Sequence, residues 1–423
     1  MKCCEKEIEK MLMPKGMREY GKMKKRIYKY DNVKALLIFL VVVGHMTSDY
    51  VSDSHLVRWT TLWIYMFHMP AFIFISGLVH KQYITEERAL AGVKGETRFR
   101  ADKALGFFLC GYALKIFLQL SRTAMGQNPT WYWIDEPGIP WYLFVMAEYE
   151  ILFFAMRRLD GRIKPGHIIA GLFALSAAIG YFPAIDETLC LSRMINFLPI
   201  YALGYYMDMR KFLLFIEGKG YRLLKAEEAE DNQPSTAYKN RQRLIKTGAC
   251  LVVAGSLAAC YLMPWGGYSL RKWFTGRRSY EYLSDFFGSY AISIGWGIRL
   301  LVWAVAMLIT LAVIAIIPDR DMGFITTVGA RTLNVYFWHR PLCYLFRNWA
   351  VLPKLCVLFG GTYDASVEGT VKGYAFGGGA WSMIAAFLVY LLIAAAMTAV
   401  FSLKPFEHPC RDLMKLSGKV RRI

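Results

Sequence analysis

Lys34 and His45 stand eleven residues apart in the run Tyr30-Asp31-Asn32-Val33-Lys34-Ala35-Leu36-Leu37-Ile38-Phe39-Leu40-Val41-Val42-Val43-Gly44-His45. At about 100° per residue, eleven steps return to within about 20° of the starting direction, so an α-helix here carries both side chains on one face, roughly 16 Å apart along its axis. An ammonium that attracts anions and an imidazole that exchanges protons near neutral pH therefore share a side. If Lys34 marks the inner edge of a membrane, His45 lies near the midplane, where an ionisable group is costly and by default signals function. A packing histidine bonded to a neighbouring helix is the other reading. Two more histidines are expected at similar depth. His68, in the run Trp63-Ile64-Tyr65-Met66-Phe67-His68-Met69-Pro70, lies about eight residues from the outer end of its stretch, roughly 12 Å in. His339 lies about twelve residues beyond Thr327, roughly 18 Å from the inner end. Three imidazoles at one level suit proton transfer or metal or haem ligation, though no spacing within a single helix favours a metal.

These side chains need elements that cross a bilayer, and the chain supplies them. It has 423 residues, 56% of them hydrophobic, and a mean hydropathy of +0.29. Apolar stretches near twenty residues long recur, the length that spans a hydrocarbon core. Ten are expected to cross, at about 33–50, 60–80, 104–121, 141–157, 167–183, 193–209, 246–264, 292–317, 327–347 and 380–403. The fold expected is an all-α polytopic transmembrane helix bundle. Of the 51 lysines and arginines, 36 fall in the tails and alternate connections on one side, so both termini are expected in the cytoplasm. Much of the net charge of +19 then marks topology and attraction to anionic lipid, and nucleic-acid binding is not implied. The nine cysteines show no CxxC spacing, which argues against a disulfide framework or zinc knuckle. The expected localisation is the cell membrane.

Residues 1–32 read as a basic cytoplasmic arm, 33–403 as the membrane domain with a cytoplasmic linker at about 210–246, and 404–423 as a basic tail. Pro70 and Ser76-Gly77 are expected to kink or break the second span. Outside, Trp131-Tyr132-Trp133 and Trp141-Tyr142 bracket Asp135 and Glu136, as an interfacial aromatic belt or a sugar-stacking surface. Glu148, inside the fourth span, calls for a cavity or a cationic partner, with Arg193, Arg299 and Arg340 as candidates. The loop at about 264–291 holds Arg271, Lys272, Arg277 and Arg278, suited first to lipid headgroups and second to an anionic acceptor. The glycine-rich stretch 348–379 reads as a connector.

Asp31-x-x-Lys34-x10-His45, Phe67-His68-Met69-Pro70 and Phe72-Ile73-Phe74-Ile75-Ser76-Gly77 together resemble the acyltransferase 3 family of membrane acyltransferases, in particular its fucose 4-O-acetylase-like branch. Pro140-Trp141-Tyr142-Leu143, Arg193-Met194-Ile195-Asn196-Phe197-Leu198-Pro199 and Gly329-Ala330-Arg331-Thr332-Leu333-Asn334-Val335-Tyr336-Phe337-Trp338-His339 extend the likeness in order over nearly the whole chain. The resemblance implies O-acylation, expected to be O-acetylation, of a cell-surface or lipid-linked carbohydrate such as an exopolysaccharide, with cytoplasmic acyl-CoA as donor substrate. It implies no bound cofactor and no metal. His45 would be the general base or carry a transient acyl group, Lys34 would hold coenzyme A phosphates, and Ser76 would donate to the pantetheine or acyl carbonyl. Asp31 would pair with Lys34 or face the donor. Arg98, Arg100 and Lys103 would meet phosphates, although the family's Arg-x-x-Arg stands here as Arg100-x-x-Lys103 and loses one bidentate fork. His68, Trp141, Glu148, Arg193 and His339 would position acceptor or acyl group. A homodimer is compatible with the sequence. A transporter or flippase for a glycan or organic anion is the competing reading of the same buried histidines.

Overall fold

The apolar stretches become helices packed through one continuous core. The computed structural model describes residues 27–51, 54–91, 99–136, 138–185, 188–217, 236–263, 270–364, 375–377 and 379–420. In chain order its helices are α1 (Tyr28–Thr47), α2 (His55–Ala91), α3 (Ala101–Ala124), α4 (Trp141–Met156), α5 (Pro165–Ala178), α6 (Leu191–Tyr206), α7 (Met209–Ile216) and α8 (Thr236–Leu262). There follow α9 (Arg271–Phe274), α10 (Ser284–Phe287), α11 (Ala291–Ile316), α12 (Phe324–Ala330), α13 (Thr332–Asn348), α14 (Val351–Leu358), α15 (Ala380–Phe401) and α16 (His408–Val420). Among the described residues the strands are a short antiparallel pair, β1 (Thr362–Asp364) and β2 (Ala375–Gly377), within the stretch expected to be a plain connector.

Every apolar stretch expected to cross overlaps one or two helices. Among the described residues, six helical segments are long and apolar enough to span a bilayer: Tyr28–Thr47, His55–Gln82, Ala101–Ala124, Lys239–Leu262, Tyr280–Ile316 and Ala380–Phe401. The others are shorter; a 16-residue helix such as α4 reaches only about 24 Å, less than a core of about 30 Å. Leu251, Leu301, Leu388 and Leu392 stand exposed on the outer surface of the bundle, where lipid replaces water as the apolar partner. The chain is a multi-pass helical membrane protein.

Helix α1 sits at the centre and starts earlier than its hydropathy indicated, at Tyr28. Its first turn is fixed by polar contacts to the end of α11 and the turn after it, to α12 and to Glu217 just beyond α7. Lys29, 2% exposed, donates from Nζ to Ile314 O at 3.2 Å and lies 3.5 Å from Glu217. Asn32 donates to Pro318 O and Arg320 O and accepts from Thr326 Oγ1 at 2.7 Å. Gly329 of α12 abuts the Asp31 carbonyl so closely that a Cβ has no room.

Helix α2 corrects an expectation. It runs without a break through Pro70 and through Ser76-Gly77. Gly77 serves instead for close packing: a Cβ there would strike the Tyr201 carbonyl of α6, and one on Gly204 of α6 would strike the Phe74 carbonyl of α2. The two glycines thus let the backbones touch, as small residues do between membrane helices. The expected basic tail is likewise a helix, α16, packed on α3, with the Cys110 thiol 3.9 Å from Cys410 O.

Candidate active site: two cavities sharing one wall

Helices α1, α2, α3, α4 and α13 enclose two cavities. The larger, about 580 Å³, contains His45, His68, Tyr65, Glu136, Trp141, Arg193 and Arg340 in its lining. The smaller, about 210 Å³, is lined by Lys34, Ser76, His80, Lys103, Tyr142 and Glu150 among apolar side chains such as Ile38, Phe72, Ile75 and Phe107. Val41, Met69 and Tyr336 line both, so the cavities meet at a common wall. Lys34 and His45, on one face of α1, therefore open into different cavities, and Val41 stands one helical turn before His45.

His45 faces the larger cavity with neither ring nitrogen hydrogen-bonded among the described residues. Its ring stacks on His339 of α13 at 5.4 Å between centroids, and its carbonyl accepts from Arg340 Nη1 at 3.1 Å. The edge of Tyr65 approaches it at 6.5 Å, and Tyr65 also meets His68 at 5.1 Å. The three histidines expected at one depth thus form one chain of ring contacts. They do not converge as ligands, and among the described residues no group of three His, Cys, Asp or Glu side chains is placed to hold a metal ion.

Bonds to the helix backbone assign tautomers to two of the rings. His68 Nδ1–H donates to Ile64 O at 2.7 Å and His339 Nδ1–H to Val335 O at 2.9 Å, leaving each Nε2 as an acceptor. His339 is fully buried behind His45, lines neither cavity, and its Nε2 has no hydrogen-bond partner.

In the smaller cavity Lys34 is paired with Asp31 at 2.9 Å, so Asp31 acts on the lysine and does not itself line the space. Ser76 Oγ donates to Phe72 O and contacts Tyr142 OH, both at 2.8 Å. A hydroxyl has one proton. Ser76 is therefore not the free donor expected from the sequence; with its proton on Phe72 O, the Tyr142 hydroxyl is the donor to Ser76. Lys103 lies 2.8 Å from Glu150 Oε1, while His80 Nε2 lies 3.3 Å from Glu150 Oε2 and its Nδ1 bonds Tyr201 OH at 2.6 Å. Arg100 lies one turn before Lys103 and outside both cavities, and Arg98 falls outside the described residues.

Glu148 is the clearest correction. It lines neither cavity, its Oε2 is buried without a hydrogen-bond partner, and it pairs with none of the arginines proposed for it. Arg193 donates to Gly138 O and lies 5.0 Å from the Trp141 ring, Arg299 bonds Asn196 and Arg278 O, and Arg340 bonds His45 O. The carboxylate of α4 that enters a cavity is Glu150, a residue that sequence reasoning missed together with His80. The signal for Glu150 was a second acid two residues after the first, and for His80 a further imidazole twelve residues after His68 near the inner end of α2.

On the outer connection, Tyr132 and Glu136 line the larger cavity while Trp131 and Trp133 stack on each other in the open. Burial pushes the Glu136 carboxyl above the usual carboxylate range, and Lys115 at 3.3 Å and the Gly138 N–H at 2.7 Å pull it back.

The arrangement can take an anionic chain at one mouth, a polar molecule at the other, and exchange a proton where the two approach. The family described as Acyltransferase domain matches residues 27–403. No curated protein and no solved structure matches the chain.

Proposed function

This chain belongs to the acyltransferase 3 family, and from that premise we propose that it transfers an acyl group from acyl-CoA to a hydroxyl of a carbohydrate, with His45 as general base. Likeness to the fucose 4-O-acetylase-like branch makes acetyl the acyl group of first choice. One observation carries the reading: an imidazole with both nitrogens unengaged faces the larger cavity, one turn from the wall shared with the cavity of Lys34 and Lys103.

In this scheme the positively charged end of the bundle lies in the cytoplasm. Lys34 and Lys103 meet coenzyme A phosphates, and the apolar walls between Phe72 and Phe107 take the pantetheine arm. At about 210 Å³ the smaller cavity suits a chain and not a nucleotide, which stays at the mouth. The acceptor sugar occupies the larger cavity, with Trp141 as an aromatic face for the ring.

His45 takes the proton from the acceptor hydroxyl as its oxygen attacks the thioester carbonyl. The tetrahedral intermediate then collapses, the C–S bond breaks, and the departing thiolate takes the proton from the imidazolium. The products are an ester and free coenzyme A. His339, stacked behind His45, fixes the plane of the ring, and the Arg340 bond to the His45 carbonyl fixes the helix at that level.

Purified protein supplied with acetyl-CoA and a carbohydrate acceptor is expected to release thiol only when acceptor is present. His45→Ala should lower that rate by about 10²- to 10⁴-fold, the range for loss of a general base. Undiminished release in the variant removes His45 from the mechanism. Mass spectrometry of surface glycans from cells with and without the protein should differ by one acyl group, which identifies donor and reaction class together.

A further inference from the structure

Two helices pass the shared wall in the same direction, and the residues along them come in the same order. On α1, Ile38 lines the smaller cavity, Val41 both and His45 the larger. On α13, Leu333 lines the smaller cavity, Tyr336 both and Arg340 the larger. His45 and Arg340 thus each stand four residues past a wall residue, about 6 Å along the helix axis. A group that crosses between Val41 and Tyr336 meets the imidazole from one helix and the guanidinium from the other.

The guanidinium is held at the level of the base. Arg340 Nη1 donates to the His45 carbonyl at 3.1 Å, and the ring of Tyr344 lies 4.7 Å from the guanidinium carbon. That bond leaves most of the arginine's N–H donors unspent. Nε is buried without a hydrogen-bond partner, and the outer nitrogens remain for whatever occupies the cavity. Neighbouring groups are less available. The Tyr336 hydroxyl donates to Ile139 O, and His68 already spends its Nδ1–H on Ile64 O.

A general base serves only one end of the reaction. When a hydroxyl oxygen adds to a thioester carbon, the π pair of the C=O bond moves onto the carbonyl oxygen, and that charge needs a preorganised donor in a site shielded from water. We propose that Arg340 is this donor, a further catalytic residue whose guanidinium donates to the thioester carbonyl oxygen as it becomes an oxyanion. The inference rests on the acyl-transfer reading. In the step, the new C–O bond forms as His45 takes the hydroxyl proton, and the displaced pair settles on the oxygen facing Arg340. On collapse the pair returns, the C–S bond breaks, and the thiolate takes the proton from His45. Arg340 lends hydrogen bonds and charge throughout and gives up no proton.

The test uses the full-length protein in detergent, with acetyl-CoA as donor and p-nitrophenyl glycosides as acceptor probes. An oxyanion exists only in the transition state and the intermediate, so loss of its donor falls on kcat. Arg340→Gln should lower kcat by about 10²- to 10³-fold and change KM for either substrate by less than about threefold. Glutamine keeps an N–H for the His45 carbonyl, so a purely structural role predicts a nearly active variant. Arg340→Lys, which keeps a charged donor, should stay at least about tenfold more active than Arg340→Gln. Arg340→Ala should regain activity when guanidinium ion is added and not when potassium chloride is added at the same ionic strength. Should the alanine variant fail to fold, the lysine and glutamine pair decides.

Undiminished kcat in Arg340→Gln overturns the inference, as do a loss confined to KM and equal rates in the lysine and glutamine variants. With active wild-type protein, each of these leaves acyl transfer by His45 standing and sinks only the role of Arg340. Wild-type protein that transfers acetyl to none of the probes counts against both.

Discussion

Glu150 holds two neighbours at once, Lys103 at 2.8 Å and His80 at 3.3 Å, while itself only 4% exposed. Removing one partner from such a group is costlier than removing both, because it leaves a buried charge uncompensated. Lys103→Met is therefore expected to destabilise the protein by about 2 kcal/mol, below the ~3–5 kcal/mol of a fully buried pair because Lys103 stays partly exposed. Adding Glu150→Gln should recover most of the loss. Thermal unfolding of the single and double variants checks this, and a double variant as unstable as the sum of the singles would contradict it. The same helix explains why sequence pointed to Glu148 instead. Two residues are about 200° apart around a helix, so Glu148 and Glu150 face nearly opposite ways. Since α4 is apolar almost all round, no polar stripe marks which way is inward. His80 was hidden for a related reason: its partners Tyr201 and Glu150 come from α6 and α4.

At the scale of elements, the crossing of α2 and α6 depends on two residues with no side chain. Gly77→Ala should force the backbones apart at the Tyr201 carbonyl, at a cost of about 2 kcal/mol typical of overpacking. It should also move Ser76 and His80, on either side of it, out of the smaller cavity. Gly255→Ala on α8 meets open space and should stay within about 0.5 kcal/mol of the parent protein. Unfolding midpoints in one detergent compare the two, and equal midpoints would show that the close approach is dispensable. Neither role can be read from the sequence, where Gly77 is one of 35 glycines and looks like a helix breaker beside Pro70. By contrast, the shared face of Lys34 and His45 was legible, because it depends only on the rotation per residue of one helix.

At the scale of the whole molecule, the working arrangement is a wall of three residues with a cavity on either side. Val41 has the smallest side chain of the three and is buried at 3% exposure. Val41→Phe should thicken the wall and lower acetyl transfer by more than tenfold. Acceptor binding in the larger cavity should persist, measured alongside size-exclusion behaviour to establish that the variant is folded. Loss of both together would mean that the cavities are not separate compartments. The sequence by itself determined the class of protein, the existence and order of the apolar helices, and the common face of Lys34 and His45, since hydropathy and helical rotation are properties of neighbours along a chain. Only the tertiary structure decided which helices are long enough to cross, that His339 stacks on His45, that Glu150 and not Glu148 enters a cavity, and that Arg271 and Arg277 line the larger cavity. Each of these depends on the distance between side chains from remote segments, and that distance is set by how closely whole helices can pack.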